Sequence, residues 1–306
     1  MLRAAILAAS RDPRIRALVA GAPISRGVVR RFVSGEAVED AVRTTQALHA
    51  TGLQVSLDHL GEDTLDVGQA ESTVKAYLVL LERLADAGLS AGGRTEVSVK
   101  LSAVGRSLDA GLALDNARTI CEAARVVGTT VTLDMEDHTT TDATLEVLAV
   151  LRKDFPGTGA VLQAYLHRTE ADCRDLAGAG SRVRLCKGAY REPASVAYQS
   201  RGDVDRSYVR CLKVLLAGEG HPMVATHDPR LVAITGALAA GRPQGSYEYQ
   251  MLFGIRPLEQ QRLAAAGETV RVYVPYGDEW YGYLMRRLAE RPANLTFFLR
   301  ALASRS

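Results

Sequence analysis

Residues 182–190 read RVRLCKGAY. Four β-prone positions carry two arginines, Arg184 among them, and the run ends in Lys187, Gly188, Ala189 and Tyr190. Charged side chains inside a strand are costly to bury unless they are paired. A strand that carries them toward its C-terminal end is therefore expected to point at a site. Working outward, the same rhythm recurs on both sides. Upstream lie 53–60 (LQVSLDHL), 96–102 (EVSVKLS), 130–137 (TVTLDMED) and 160–166 (AVLQAYL). Downstream lie 223–228 (MVATHD), 246–252 (SYEYQML) and 270–276 (VRVYVPY). Segments of helical period separate them, so the chain reads as eight parallel β/α units. Eight such units close a barrel. A doubly wound open sheet is the rival, but it normally carries a glycine-rich turn after its first strand, and LDHLGEDTLD (57–66) holds only Gly61.

The expected architecture is a single domain over 1–306, with N-terminal helices over 1–50 and an α/β barrel over 51–306. Ser34, ahead of Glu36 and EAVEDAVRTTQALHA, suggests a capped helix near 37–50. The chain has 306 residues and a net charge of +2, with one Trp and five Phe, which gives no footing for a nucleic-acid interface. Cys121, Cys173, Cys186 and Cys211 form no CxxC, so neither a zinc site nor a disulfide framework is expected. No apolar run approaches the roughly 18 residues of a membrane span.

Polar residues gather at the ends of the runs: Asp58 and Glu62, Lys100, Asp134 with Glu136 and Asp137, Gln163, Arg184 with Lys187 and Tyr190, Thr226 with His227 and Asp228, Glu248 with Gln250, and Tyr273. In a β/α barrel the strand C-termini surround one mouth, where active sites are built. Individual residues admit plainer readings. Lys100 can line the barrel paired with Asp134, or act as a Schiff-base nucleophile as in lysine-dependent aldolases. His227 taken singly reads as a satisfied buried histidine. Asp134, Glu136, Asp137 and His138 suggest a divalent metal only weakly, since alternation puts Asp134 and Glu136 on one face and Asp137 on the other. After the last run, GDEWYGYLMRRLAERPAN (277–294) reads as a helix with Tyr283, Arg286, Arg287 and Glu290 on one face. Two arginines there are either a solvated face or a grip on a carboxylate, with Glu290 holding one guanidinium.

Taken in series, VSVKLS (97–102), TLDMED (132–137), VLQAYL (161–166), VRLCKGAYRE (183–192), ATHD (225–228), YEYQMLFG (247–254) and RVYVPYGDEWYGYLMRR (271–287) resemble the motifs of the proline dehydrogenases. The resemblance runs in family order from about residue 28 to the C-terminus. It implies a distorted (β/α)8 barrel whose final helix sits over the strand C-termini. It implies FAD as cofactor, contacted by Met135, Gln163, Arg184, Lys187, Gly188, Ala189, Thr226 and His227. Asp134 and Arg184 would be the catalytic residues. Lys100, Arg286 and Arg287 would take the carboxylate of L-proline, and Tyr190, Leu252, Tyr273 and Tyr283 would surround its ring. Glu290 and Glu62 would orient the basic groups. The implied reaction is hydride transfer from the ring carbon next to nitrogen to flavin N5, giving 1-pyrroline-5-carboxylate on the way to glutamate. A quinone would take the electrons, and no metal is called for. The chain carries no aldehyde dehydrogenase region, so a separate pyrroline-5-carboxylate dehydrogenase would receive the product. The expected location is the cytoplasm, compatible with peripheral contact at the inner face of the cell membrane. Cys186 stands where the family usually has an aliphatic residue, a place a small thiol tolerates. A lysine aldolase on the same barrel and a non-catalytic proline or FAD sensor are the rival functions.

Overall fold

The computed structural model describes residues 29–62 and 64–290, without the side chains of 286–290. Eight strands alternate with helices: β1 (Gln54–His59), β2 (Thr95–Val99), β3 (Thr130–Leu133), β4 (Ala160–Gln163), β5 (Arg182–Cys186), β6 (His221–Ala225), β7 (Glu248–Leu252) and β8 (Val270–Tyr276). The helices are α1 (Val38–Ala50), α2 (Val67–Asp86), α3 (Ala110–Val126), α4 (Thr141–Leu151), α5 (Thr169–Asp175), α6 (Arg201–Ala217), α7 (Pro229–Leu238), α8 (Pro257–Ala265) and α9 (Trp280–Glu290).

Neighbouring strands pair in parallel in the order β3-β2-β1-β8-β7-β6-β5-β4, so the first and last strands of the chain lie side by side. The remaining gap, between β3 and β4, narrows to a bridge between Thr132 and Gly159. Leu133 N donates to the Gly159 carbonyl at 2.9 Å, and Gly159 N donates to that of Val131 at 2.8 Å. A Cβ at Gly159 would lie 2.4 Å from the Thr132 hydroxyl, so only glycine lets the two strands close the barrel here.

Every expected run contains a strand, but most strands stop earlier. β3 ends at Leu133, β4 at Gln163 and β5 at Cys186, so 134–137, 164–166 and 187–190 are loop. These segments leave the ladder where their polar groups bend into the mouth. Facing residues of outer helices and sheet form the main apolar core, with Leu57, Val97, Leu133, Leu185 and Val272 among its buried members. Aspartates and a serine cap the helices that leave the mouth: Asp66 accepts from Gln69 N, Asp109 from Leu112 N, Ser200 from Asp203 N and Asp228 from Arg230 N.

The N-terminal expectation is corrected in one detail. The cap of α1 is Ala37, whose N–H is accepted by Asp40 at 3.2 Å, while Ser34 Oγ donates to the Pro275 carbonyl. Ser34 thus ties the entering chain to β8. The helices expected before residue 29 lie outside the described residues. α9 packs Trp280, Tyr281, Tyr283, Leu284 and Met285 against Phe32, Val33, Leu60 and Ile255. Leu60 and Ile255 follow β1 and β7, so α9 sits over the strand C-termini as expected.

Candidate active site

Barrels of this kind usually fill their interior with Val, Ile and Leu. Here alternation along the strands turns charged and hydroxylic residues inward instead. β2 supplies Glu96, Ser98 and, just past its end, Lys100. β5 supplies Arg182 and Arg184, β7 Glu248 and Gln250, β8 Arg271 and Tyr273, and β1 Ser56 and Asp58.

The lower tier, nearest the strand N-termini, is closed on itself. Glu248 takes Arg271 Nε at 2.8 Å and Nη2 at 3.0 Å. Glu96 takes Arg182 at 2.6 Å and Arg184 at 2.9 Å. Burial alone would raise the Glu96 carboxyl, but Arg182, Arg271 and Arg184 outweigh it and bring it down to about 2. Glu248 starts β7, so its expected place at the mouth is corrected: it is a structural partner of Arg271.

Arg184 joins this tier to the one above. Its five N–H groups all find protein acceptors: Nε gives to Gln250 at 2.5 Å, Nη1 to Ser98 at 2.8 Å and Asp134 at 2.7 Å, and Nη2 to Ser56 at 3.0 Å and Glu96 at 2.9 Å. The guanidinium also lies 5.3 Å from the centre of the Tyr273 ring. Asp134 accepts further from Ser98 Oγ at 2.9 Å and from the Tyr273 hydroxyl at 2.7 Å. Its loop-mate Glu136 turns instead to Ser102, whose N–H it accepts at 3.1 Å. The expected shared face of Asp134 and Glu136 fails because β3 ends at Leu133. Asp137 caps a short turn through Thr139 N, and His138 bonds to Glu192. No group of three metal-ligating side chains occurs among the described residues.

Lys100 Nζ sits 3.0 and 2.8 Å from the two oxygens of buried Asp58, not on Asp134. Burial would lower its pKa, but Asp58, Glu62 and Asp134 outweigh it and hold the ammonium charged well above its ordinary range. A Schiff-base nucleophile needs a neutral amine, so the aldolase reading loses its premise.

Around the other half of the mouth, Gln163 Nε2 donates to the Glu136 carbonyl at 2.7 Å. Gly188 has φ +107°, and a Cβ there would meet the Tyr165 ring at 2.4 Å, so this turn needs glycine. Thr226 accepts from Asp228 N at 3.1 Å, and His227 Nε2 accepts from Leu252 N at 2.8 Å. Met135, just past β3, is buried, and Leu252 ends β7 on the opposite side of the ring of strand ends. Lys187 is tied by Asp205 at 2.5 Å and Asp228 at 3.1 Å, so its charge is already compensated. Ala189 and Tyr190 follow in the same loop. Burial pushes the Cys186 thiol up to about 11, which leaves it a neutral, apolar-like side chain.

The structure thus brings Lys100, Asp134, Arg184 and Tyr273 into one connected cluster. Tyr283 is buried on α9 above it. The side chains of Arg286, Arg287 and Glu290 lie outside the described ones. Ser98, Asp58 and Glu192 are the partners that sequence reading left without a role. Ser98 was signalled by its period-two place between Glu96 and Lys100, whereas Glu192, although it closes the VRLCKGAYRE motif, lies in an irregular loop where no periodicity shows what it faces.

The residues fit a flavin in their chemistry: a glycine turn that brings backbone close, amide and hydroxyl groups at adjacent strand ends, and a fixed guanidinium below. Lys187 fits a phosphate less simply, because two carboxylates already hold it.

Comparison with known proteins bears on this mouth directly. A family model described as proline dehydrogenase matches residues 41–300. Proline dehydrogenase 1 of Bacillus subtilis is 38% identical over 275 residues, covering 89% of this chain and 90% of its own. Proline dehydrogenase of Deinococcus radiodurans is 40% identical over 309 residues, covering 99% and 98%. The crystal structure of proline utilization A (PutA) from Bdellovibrio bacteriovorus, inactivated by N-propargylglycine, superposes with a TM-score of 0.80 at 25% identity. That likeness covers 92% of this chain and 34% of the larger protein.

Proposed function

This chain belongs to the proline dehydrogenase family, an oxidoreductase acting on proline, and from that premise we propose that its mouth binds FAD and oxidises L-proline to 1-pyrroline-5-carboxylate by hydride transfer to flavin N5. The observation that carries the proposal is the Asp134 carboxylate held between Arg184 and Tyr273 beside the Lys100–Asp58 pair.

The flavin, when bound, supplies a two-electron acceptor whose electrons pass on to a quinone. The protein's part is to bind and orient. Met135, Gln163, Arg184, Lys187, Gly188, Ala189, Thr226 and His227 would hold the cofactor. Every N–H of Arg184 already has a protein acceptor, so Arg184 would serve a bound flavin as a fixed part of its seat. Glu96 and Asp134 balance its charge, so its contribution would be a rigid, fully partnered guanidinium that fixes Asp134 beside the cofactor.

For the substrate, an ammonium has three N–H groups. Asp58 takes two of those on Lys100, leaving one for an oxygen of the proline carboxylate. Lys100 is therefore electrically balanced, and the carboxylate's charge falls to Arg286 and Arg287, with Glu290 and Glu62 orienting the basic groups. Tyr190, Leu252, Tyr273 and Tyr283 surround the pyrrolidine ring. Asp134, fixed by Arg184, Ser98 and Tyr273, places a carboxylate toward the ring nitrogen, which must present its lone pair as the neighbouring C–H bond breaks. A separate pyrroline-5-carboxylate dehydrogenase would take the product onward to glutamate. No helix among the described residues is long and apolar enough to cross a membrane. We place the protein in the cytoplasm, meeting its quinone by peripheral contact with the membrane.

The test is proline-dependent electron transfer by purified protein to an artificial dye and, separately, to a short-chain quinone. Both should proceed. Reduction of the dye with none of the quinone would remove the quinone from the proposal, and reduction of neither by FAD-loaded protein would remove the catalytic reading.

A further inference from the structure

Three loops of the mouth meet on one side chain that the reading above does not use. Glu192 lies five residues past Lys187, in the loop that follows β5, and is nearly buried. Its carboxylate accepts the backbone N–H of His138 at 3.0 Å and the Tyr165 hydroxyl at 3.2 Å, and it also bonds the His138 ring through Nδ1. A carboxylate only accepts, so that ring nitrogen carries the proton. His138 belongs to the loop after β3 and Tyr165 to the loop after β4. The direct partners of Glu192 are thus one backbone amide, one phenol and one imidazole. Buried carboxylates ordinarily pair with Arg or Lys, and a carboxylate satisfied by converging polar donors instead is specific to its geometry.

Each loop it joins carries proposed cofactor contacts: Met135 after β3, Gln163 at the end of β4, and Lys187 to Ala189 after β5. Tyr165 makes the coupling concrete. Its N–H donates to the Lys187 carbonyl at 2.9 Å, and its ring packs where a side chain at Gly188 would be. The ring is therefore the floor under the Gly188 turn, and Glu192 fixes the far end of that ring.

We propose that Glu192 is a positioning residue for the cofactor: through Tyr165 and His138 it locks the loops after β3, β4 and β5 into one wall that presents the Gly188 turn to the flavin. The inference rests on the FAD reading of the mouth. Glu192→Gln keeps the shape but turns an N–H₂ group toward a donor, and Tyr165→Phe removes only one hydroxyl from the set.

The experiment is titration of apoprotein with FAD, followed by flavin fluorescence, for wild type and both variants. It is joined by the visible absorption band of the bound flavin, the melting temperature of each apoprotein, and KM for proline at saturating FAD. Glu192→Gln should weaken FAD binding on the order of tenfold, and Tyr165→Phe roughly threefold, the scale of one lost hydrogen bond to a charged or a neutral partner. The flavin band should lose resolution, and KM for proline should rise by clearly less than FAD affinity falls, since Lys100 is held by Asp58 from β1, outside these loops. Unchanged FAD affinity and an unchanged band in both variants would overturn the proposal. So would a rise in proline KM as large as the loss in FAD affinity. Wild type that takes up no FAD would defeat the underlying cofactor reading itself, a result visible before either variant is measured.

Discussion

The barrel interior holds two sets of buried charges that differ in how they are matched. In the lower tier each carboxylate is outweighed by guanidinium groups: Glu96 faces Arg182, Arg184 and Arg271, and Glu248 faces Arg271 and Arg182. Both carboxyls are held well below their ordinary range. In the upper tier Asp58 faces the single ammonium of Lys100, with Asp134 opposing, and burial pushes its carboxyl up. One tier is settled by its own partners and the other is not. The physical lesson is that charge inside a barrel marks function only where the protein leaves the matching incomplete. The lower tier replaces an aliphatic filling, and the upper one holds the polar groups of the proposed site.

If that contrast is right, damage to the lower tier should appear in stability. Glu248→Leu leaves the Arg271 guanidinium buried without its carboxylate and should lower the unfolding free energy by about 3–5 kcal/mol, read by denaturant titration. A change under about 1 kcal/mol, within the range of ordinary surface substitutions, would put the lower tier on the same footing as a solvated ion pair.

The acid limb sharpens the same point. A carboxyl depressed from 4.5 to about 2 in the folded state contributes stability that is complete above pH 4.5 and is lost as pH falls through about 2. Glu96 alone then accounts for about 3 kcal/mol across that window. Glu96→Gln should make the fall of unfolding free energy between pH 4.5 and 2 shallower by the equivalent of one proton. Parallel acid limbs in the two proteins would contradict the assignment.

Damage to the mouth should appear in substrate handling. Arg286→Met and Arg287→Met, made separately, should each weaken proline binding by about 2–4 kcal/mol, a KM increase of roughly 30- to 1,000-fold. Arg→Lys should not rescue it, since an ammonium lacks the bidentate fork. Inhibition by tetrahydro-2-furoic acid, a ring with the same carboxylate, should weaken in parallel while FAD stays bound. Normal KM and inhibition in both variants would return the pair to a solvated helix face. A smaller effect is expected from Tyr273→Phe, which removes one hydrogen bond to Asp134 and should reduce kcat/KM by about 1.5–3 kcal/mol of transition-state stabilisation. Its loss of unfolding free energy should be smaller than that of Glu248→Leu, which strips a buried guanidinium of its charge partner.

The period-two runs made all eight strands legible, and RVRLCKGAY shows both the strength and the limit of such reading. The run marked Arg184 as a strand-end residue, but gave no means of telling that Arg182 serves the lower tier while Arg184 spans both. Glu248 was misplaced for the same reason: residue type marks an inward charge, and only the strand's true start sets its height in the barrel. The partner of Lys100 was missed because Asp58 and Asp134 flank it from β1 and β3, and sequence carries no preference between two neighbours. Glu192 closes the quoted VRLCKGAYRE motif, but its partners were not legible, since they come from loops without period. The closure at Gly159 was equally hidden, resting on the absence of a side chain opposite Thr132.

The central claim is that the incompletely matched upper tier is a flavin and proline site. It is tested most directly by the visible absorption spectrum of the purified, FAD-supplied protein, recorded anaerobically before and after L-proline. The account predicts a yellow protein whose flavin band bleaches on addition of proline. A folded protein that stays colourless after supply of FAD, or a flavin band that proline leaves unchanged, would contradict it.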